Sequence, residues 1–183
     1  MRWQWLLIDR ILSRCLGIKP LREDDTGVLG IRLRRHCGQP VRIDDGVVVS
    51  PGDQLIEIHL DNTWFRRNRN KLEDTRYARR WQVYPAVAED LKYLAGRLGE
   101  GKIYPDAKAL LAETTILAPM NRLGFTVVKK PGGWRSRLTV FHHRRLQQTF
   151  HLGKGSRERS SPVLADVWMS RSKLLSKYGS ASQ

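Results

Sequence analysis

The sequence predicts an α+β fold, in which a small antiparallel sheet packs against helices in a single domain. Residues 28–60 alternate apolar and polar side chains as strands do, whereas residues 87–98 carry an apolar stripe at helical spacing. The 183 residues are 40% apolar and include two cysteines, so one core can form without a disulfide framework. We therefore expect one domain over residues 1–183.

The N-terminal segment predicts an amphipathic helix over residues 3–17. Apolar side chains recur at helical spacing from Trp5 to Cys15, and Gly17 ends the pattern. We expect this helix to pack on its own domain, and a membrane interface, which suits its tryptophans and arginines, is the alternative. No apolar run has the length of a signal peptide or a membrane span. We therefore expect a cytoplasmic protein, with peripheral binding at the inner face of the membrane as the second option.

Residues 28–60 predict an antiparallel meander of three or four strands. In the first strand the apolar side chains share one face, and the opposite face is basic through Arg32 and Arg34. Asp44-Asp45-Gly46 predicts a tight hairpin turn between two valine-rich strands, because glycine accepts the positive φ that such a turn needs. Residues 55–60 predict the last strand of this group.

The second half of the sequence predicts two helices that cover the sheet. The first begins near Arg76 and ends at Gly99. Its apolar stripe consists of Val87, Leu91, Leu94 and Leu98. The second covers residues 105–112, since Pro105 suits a first helical turn and apolar residues follow it.

Shorter elements are predicted towards the C-terminus. They are a helix at 119–123, a strand at 125–128, a strand at 163–168 and a helix at 170–178. Gly124 and Gly179 end the two helices. Residues 135–150 fit both strand and helix spacing, and we favour a helix; the tail 180–183 is expected to fray.

The charge of the chain predicts an anionic partner. The net charge is +15, and two segments contribute most of it: residues 64–80 carry +5 and residues 129–159 carry +8. An anionic polymer, a glycan or an anionic membrane surface fits this charge, and nucleic acid is a further option. A solvated basic face is the alternative without a partner. The candidate anion-binding residues are Arg66, Arg67, Arg69, Arg76, Arg79, Arg80, Arg144 and Arg145.

A second candidate site lies around His59. Strand alternation places Glu57, His59 and Asp61 on one face, where His59 can act as a general base or the group can hold a metal. Asn62 follows directly, and His142 or His143 can complete such a site from across the fold. Side chains two residues apart on a strand are about 6–7 Å apart, too far for a hydrogen bond without a bend. A strand end that merely alternates polar with apolar residues therefore stays the simpler explanation.

Motifs that bind cofactors are missing from the sequence. It contains no phosphate-binding loop, no dinucleotide fingerprint and no pair of zinc-type motifs. We therefore expect no cofactor and no metal.

Four short stretches resemble a known family. They are Gly30-Ile31-Arg32, GDQLIEIHLDN at 52–62, LGF at 123–125 and VWMSRSKLLSKYG at 167–179. These resemble the YkoP-like domain, which is found as a free-standing bacterial protein and as an appendage of polysaccharide deacetylases. The resemblance implies a link to envelope polysaccharides, and a deacetylase or another envelope enzyme as a partner. It supplies no catalytic residues, because the family has no established activity.

The turn Asp44-Asp45-Gly46 is similar to the metal-binding T-F-D-D-G motif of those deacetylases. The preceding Thr-Phe is absent, however, and the chain has no H-x-x-x-H partner motif. We therefore interpret the turn as a hairpin and the chain as lacking the deacetylase site.

Two functional hypotheses follow from the sequence. The first is a basic accessory module that binds an anionic or glycan component of the cell envelope, or the membrane face, without catalysis. The second is an enzyme built around Glu57, His59, Asp61 and Asn62. Nucleic-acid binding comes third, since only the charge favours it and no RRM, KH or helix-turn-helix signature occurs.

Overall fold

A six-stranded sheet organises the chain, and helices pack on one of its faces. A computed structural model describes residues 11, 13–24, 26–68, 76–114, 118–129, 141 and 164–179, with the backbone alone for 76–82, 118, 119 and 129. The strands are β1 (Lys19–Pro20), β2 (Leu29–Arg35), β3 (Val41–Arg42), β4 (Val48–Val49), β5 (Gln54–Leu60), β6 (Ala107–Thr114), β7 (Thr126–Lys129) and β8 (Ala165–Ser170). The helices are α1 (Asn62–Arg67), α2 (Arg76–Gly99), α3 (Ala118–Leu123) and α4 (Arg171–Tyr178).

The large sheet has the strand order β1-β2-β5-β6-β8-β7, and its neighbours are antiparallel except for the parallel pair β5–β6. This arrangement confirms the predicted α+β class. The predicted meander is wrong, because β2 pairs directly with β5 while β3 and β4 form a separate two-stranded sheet. Burial explains the difference: Ile43 and Val49 of this hairpin pack in one cluster with Leu55 and Trp168 of the large sheet instead of extending it.

Helix α2 matches its prediction closely. Its four stripe residues are buried in the main core. That core includes Ile56 and Ile58 of β5, Leu110 of β6 and Met169 of β8. Each buried aliphatic side chain of this kind favours folding by about 1.5–3 kcal/mol. The helices therefore cover the face of the sheet to which Ile56 and Ile58 belong.

The predicted helix over residues 105–112 is wrong, since the segment forms β6. This strand lies between β5 and β8, and it is buried on both faces. Leu110 belongs to the main core, whereas Ala109 and Leu111 pack with the β3–β4 hairpin on the other side. A short strand that is apolar on both faces has no period-two pattern to distinguish it from a helix.

The C-terminal elements follow the prediction with small shifts. The short helix becomes α3, and Gly124 follows it with a φ of +93°. The last strand, β8, runs two residues later than expected, and Ser170 caps α4 by accepting a hydrogen bond from Lys173 N. Gly179 follows α4.

The N-terminal helix is described only at its end. Residues 13–15 are helical, and Gly17 adopts a φ of +67° directly after them. Residues 3–10, most of 135–150 and the tail 180–183 lie outside the described residues, so those predictions stay untested. In the described ranges, no helix is both long enough and apolar enough to span a bilayer.

A buried carboxylate fastens β2 to helix α2. Asp90 is 2% exposed and accepts hydrogen bonds from Val28 N at 2.7 Å and Leu29 N at 2.9 Å. Its other oxygen accepts from Arg22 Nε at 2.7 Å. The start of β2 is therefore tied to the helix through its backbone amides.

Candidate functional site

The sheet face opposite the main core carries a group of charged side chains. Arg32 of β2 lies directly across from Glu57 of β5, and Gly30 lies across from His59. Since side chains alternate along a strand, Arg32, Arg34, Glu57 and His59 all project from this face. We call these four residues the Glu57 cluster.

Glu57 is the centre of the cluster and is 7% exposed. Arg32 donates to it from Nε at 3.2 Å and from Nη2 at 2.9 and 3.0 Å, which makes the pair bidentate. Arg34 donates from Nη1 to Oε2 at 2.8 Å. One buried carboxylate therefore binds two guanidinium groups.

These contacts fix the ionisation of Glu57. Burial alone would raise the pKa of Glu57, but the contacts with His59, Arg34 and Arg32 outweigh it and lower the pKa from 4.5 to about 2. Glu57 is therefore a permanent anion at neutral pH. A general acid or base needs a pKa near the working pH, so Glu57 cannot exchange protons in catalysis there.

His59 lies closer to Glu57 than its spacing in the sequence predicts. Its Nε2 is 3.1 Å from Glu57 Oε1, so the two side chains bend towards each other over the strand surface. The approach does not have the geometry of a hydrogen bond, so it is a close contact between an imidazole and a carboxylate. The structure thus brings together two of the four predicted catalytic residues.

Asp61 and Asn62, the other two predicted catalytic residues, lie at the start of helix α1. Asp61 caps helix α1, since its side chain accepts a hydrogen bond from Thr63 N at 2.8 Å, and its own N–H donates to Val28 O at 2.7 Å. Asn62 is the first residue of α1. The contacts of Asp61 are thus those of a helix cap at the end of β5.

The predicted anion-binding arginines are only partly described. Arg66 and Arg67 lie in the last turn of α1 and are exposed. Arg76, Arg79 and Arg80 lie in the first turns of α2, where the structure gives the backbone alone. Arg69, Arg144 and Arg145 lie outside the described residues, as do His142 and His143.

Arg32 and Arg34 are the functional candidates that the sequence did not single out. Their alternation marks a basic strand face, but their link to Glu57 depends on the pairing of β2 with β5. A cationic partner for Glu57 could have been expected, because a buried glutamate needs one. The register between β2 and β5 shows that the partners are Arg32 and Arg34.

The Asp44-Asp45-Gly46 turn is the predicted hairpin, with a φ of +84° at Gly46. Asp44 accepts a hydrogen bond from Lys173 Nζ at 2.7 Å, and Asp45 accepts from Ser170 Oγ. Both carboxylates thus hold the hairpin against the start of α4. Over the described part of the chain, no three His, Cys, Asp or Glu residues are grouped so that they could hold a metal ion.

Comparisons with known proteins agree on a family. Residues 1–178 match the family described as the YkoP domain. The chain is also 24% identical over 124 residues to a protein of Bacillus subtilis (strain 168) named "Uncharacterized protein YkoP", which covers 68% of this chain and 67% of the relative. No solved structure matches the chain. The chain therefore belongs to the YkoP domain family.

Proposed function

We propose that the protein is a non-catalytic module that binds an anionic polymer, and that an acidic glycan is its ligand class. The observation that carries the proposal is the state of Glu57. Two arginines hold this carboxylate ionised with a pKa of about 2, so the sheet presents guanidinium groups that are fixed by a carboxylate charged at neutral pH.

The charge of the molecule supports the same function. The chain carries +15, and Arg32, Arg34 and Glu57 together retain a surplus of one positive charge. Helix α1, which follows β5 after a single residue, adds the exposed Arg66 and Arg67. Clustered positive charge of this kind attracts polyanions over roughly one Debye length, about 10 Å at moderate salt.

Family membership supports a glycan among the anionic ligands. The resemblance to domains appended to polysaccharide deacetylases implies envelope polysaccharide as the surrounding chemistry. Arginine also favours carboxylates because its planar fork binds both oxygens at once. An acidic polysaccharide thus combines the ligand chemistry with the biological association.

A binding experiment with three polyanions tests the proposal. The full chain is titrated with polygalacturonate, with phosphatidylglycerol vesicles and with duplex DNA at low salt and at physiological ionic strength. We expect polygalacturonate to bind most tightly, with an affinity that falls as salt rises. Tighter binding of vesicles or DNA would overturn the glycan assignment, and no binding to any of the three at low salt would overturn the module itself.

A charge-matched pair of variants separates a site from general attraction. Arg66→Gln/Arg67→Gln removes two exposed charges of α1, the helix that follows β5, and Lys92→Gln/Lys102→Gln removes two exposed charges elsewhere. We expect the arginine variant to weaken polygalacturonate binding and flatten its salt dependence more than the lysine variant does. Equal losses from the two variants would contradict a localised site.

One observation favours an enzyme as the second candidate. A carboxylate 3.1 Å from one ring nitrogen of His59 can orient that ring so that the other nitrogen acts as a general base. Under this hypothesis His59→Ala abolishes turnover of an acidic oligosaccharide but preserves its binding. Mass spectrometry of oligogalacturonate incubated with the wild-type protein decides the matter, because an unchanged oligosaccharide excludes this activity.

A further inference from the structure

We infer that Arg34 is the residue that binds a singly charged oxyanion, such as a carboxylate or a phosphodiester, through the Nε–Nη2 edge of its guanidinium group. This inference rests on the proposed function, because it names the ligand contact within that module. It differs from the predicted site, which did not include Arg34.

The two arginines of the Glu57 cluster use their donors differently. Arg32 directs Nε and Nη2 at Glu57, and its Nη1 lies 3.5 Å from Leu16 O. Each nitrogen of Arg32 thus faces a protein oxygen, and its side chain is 21% exposed. The guanidinium group of Arg32 is therefore used to bind Glu57.

Arg34 keeps its binding edge open. It donates to Glu57 from Nη1 at 2.8 Å, and within the described residues its Nε and Nη2 have no protein acceptor. Its side chain is 38% exposed, so these N–H groups can reach a ligand. Parallel N–H bonds from one guanidinium edge are the geometry with which arginine binds carboxylate and phosphate oxygens.

The open edge is held in place before any ligand arrives. The bond to Glu57 fixes one end of the Arg34 guanidinium, and Glu57 is itself fixed by the bidentate contact with Arg32. A side chain that is already ordered loses less conformational entropy on binding. This gives Arg34 an advantage over the exposed Arg66 of α1 as a specific contact.

The local charge selects the kind of anion. Two guanidinium groups and one carboxylate leave a net charge of +1, which a single negative charge neutralises. A uronic-acid carboxylate and a phosphodiester each carry one such charge. Leu55, the cross-strand partner of Arg34, is fully buried with the hairpin, which leaves Arg34 at the margin of the hairpin.

Substitutions on one strand test the role of Arg34. Arg34→Gln removes the charge and the fork, whereas Arg34→Lys keeps the charge and removes the fork. Arg35→Gln is the matched control, because Arg35 is exposed, is the next residue of β2 and projects from the opposite face. The probes are oligogalacturonate for carboxylates and poly(glycerol phosphate) for phosphodiesters.

We expect Arg34→Gln to weaken binding of the preferred probe by about tenfold or more, and Arg34→Lys to restore little of it. Arg35→Gln should change the affinity by less than about twofold. The probe with the larger loss identifies the oxyanion. Unchanged thermal unfolding midpoints check that each variant is folded.

NMR gives a second measurement on the wild-type protein. The Nε–H resonance of Arg34, assigned by its absence in Arg34→Lys, should shift on addition of the probe, while that of Arg32 should stay in place. If Arg34→Gln and Arg35→Gln lose affinity equally, or if the Arg34 resonance does not move, this inference fails and the proposed function stands. If the wild-type chain binds neither probe, the proposed function and this inference fail together.

Discussion

Two buried carboxylates, Asp90 and Glu57, contact strand β2 near its start and at its middle, and they bind different kinds of partner. Asp90 accepts hydrogen bonds from the backbone amides of Val28 and Leu29 and from Arg22. Glu57 is bound by arginine side chains and contacts an imidazole, with no backbone donor among its described contacts. The same chemical group thus holds the backbone at the start of β2 and arranges side chains at its middle.

The difference has a physical consequence for function. A backbone amide has one proton, so the amides that Asp90 binds have nothing left to offer a ligand. An arginine has five N–H donors, so binding to Glu57 leaves some of them free to bind elsewhere. Replacing Asp90 should therefore affect folding, whereas changes around Glu57 should also affect binding.

The largest effect is expected from Asp90→Ala. The substitution leaves two buried amides and Arg22 without their acceptor, and we expect the free energy of unfolding to fall by about 3–4 kcal/mol. Urea denaturation followed by circular dichroism measures it. Asp24→Ala is the control, because Asp24 is exposed and accepts from Thr26 within one turn. Equal losses in the two variants would show that burial of Asp90 does not matter.

Acid should reveal the contribution of Glu57. Because its pKa is lowered from 4.5 to about 2, its ion pairs stabilise the fold fully above pH 4.5, and this contribution is lost as the pH falls towards 2. We expect the loss to be about 2–3 kcal/mol. Urea unfolding at a series of pH values should show a flatter acid limb for Glu57→Gln than for the wild type. Glu89→Gln, at an exposed pair with Lys92, should retain the wild-type profile.

Arg171 is a cation that, like Asp90, binds backbone groups. Its guanidinium donates to Leu98 O at 2.8 Å and to Tyr104 O and Pro105 O, so it binds backbone, as Asp90 does. Arg171→Met should therefore lower the free energy of unfolding by about 2 kcal/mol and leave polygalacturonate affinity unchanged once folded protein is counted. A loss of affinity in the folded variant would contradict the separation between the two classes of contact.

The smallest effect is expected from His59→Ala. The contact of His59 with Glu57 lacks hydrogen-bond geometry, and the two arginines remain in the variant. At slightly alkaline pH we expect the free energy of unfolding to change by about 0.5 kcal/mol or less, with ligand affinity retained. Titration calorimetry and urea unfolding measure both quantities. A large loss of affinity would make His59 a direct ligand contact and would weaken the distinction between it and Arg34.

Local patterns predicted the elements whose burial is one-sided. The stripe from Val87 to Leu98 identified α2, because one face of that helix is buried and the other is solvated. The same logic failed for β6, where Ala109 and Leu110 are buried on opposite faces. Sequence reasoning therefore succeeds where the two sides of an element meet different surroundings.

The candidate site depended on information that no local pattern contains. Alternation placed Glu57 and His59 on one face, but the partner of Glu57 is set by the pairing of β2 with β5, about 25 residues away in sequence. The cap role of Asp61 was not predicted, because no helix was expected at 62–67, where α1 begins directly after it. The order of the strands, and with it the cluster, came from the tertiary structure.

The parallel pairing of β5 with β6 has a consequence for how the chain folds. Parallel neighbours need a crossover, and here β6 returns to β5 only after residues 61–106. We therefore expect the centre of the sheet to close late, at a cost in loop entropy, and the β2–β5 ladder to form earlier. Helix α2 lies in this crossover, and its Asp90 also accepts hydrogen bonds from the start of β2. Docking of this helix therefore links β2 and β5 to β6 and the strands beyond it. For this reason we expect the slowest step of folding to be the packing of α2 on the sheet.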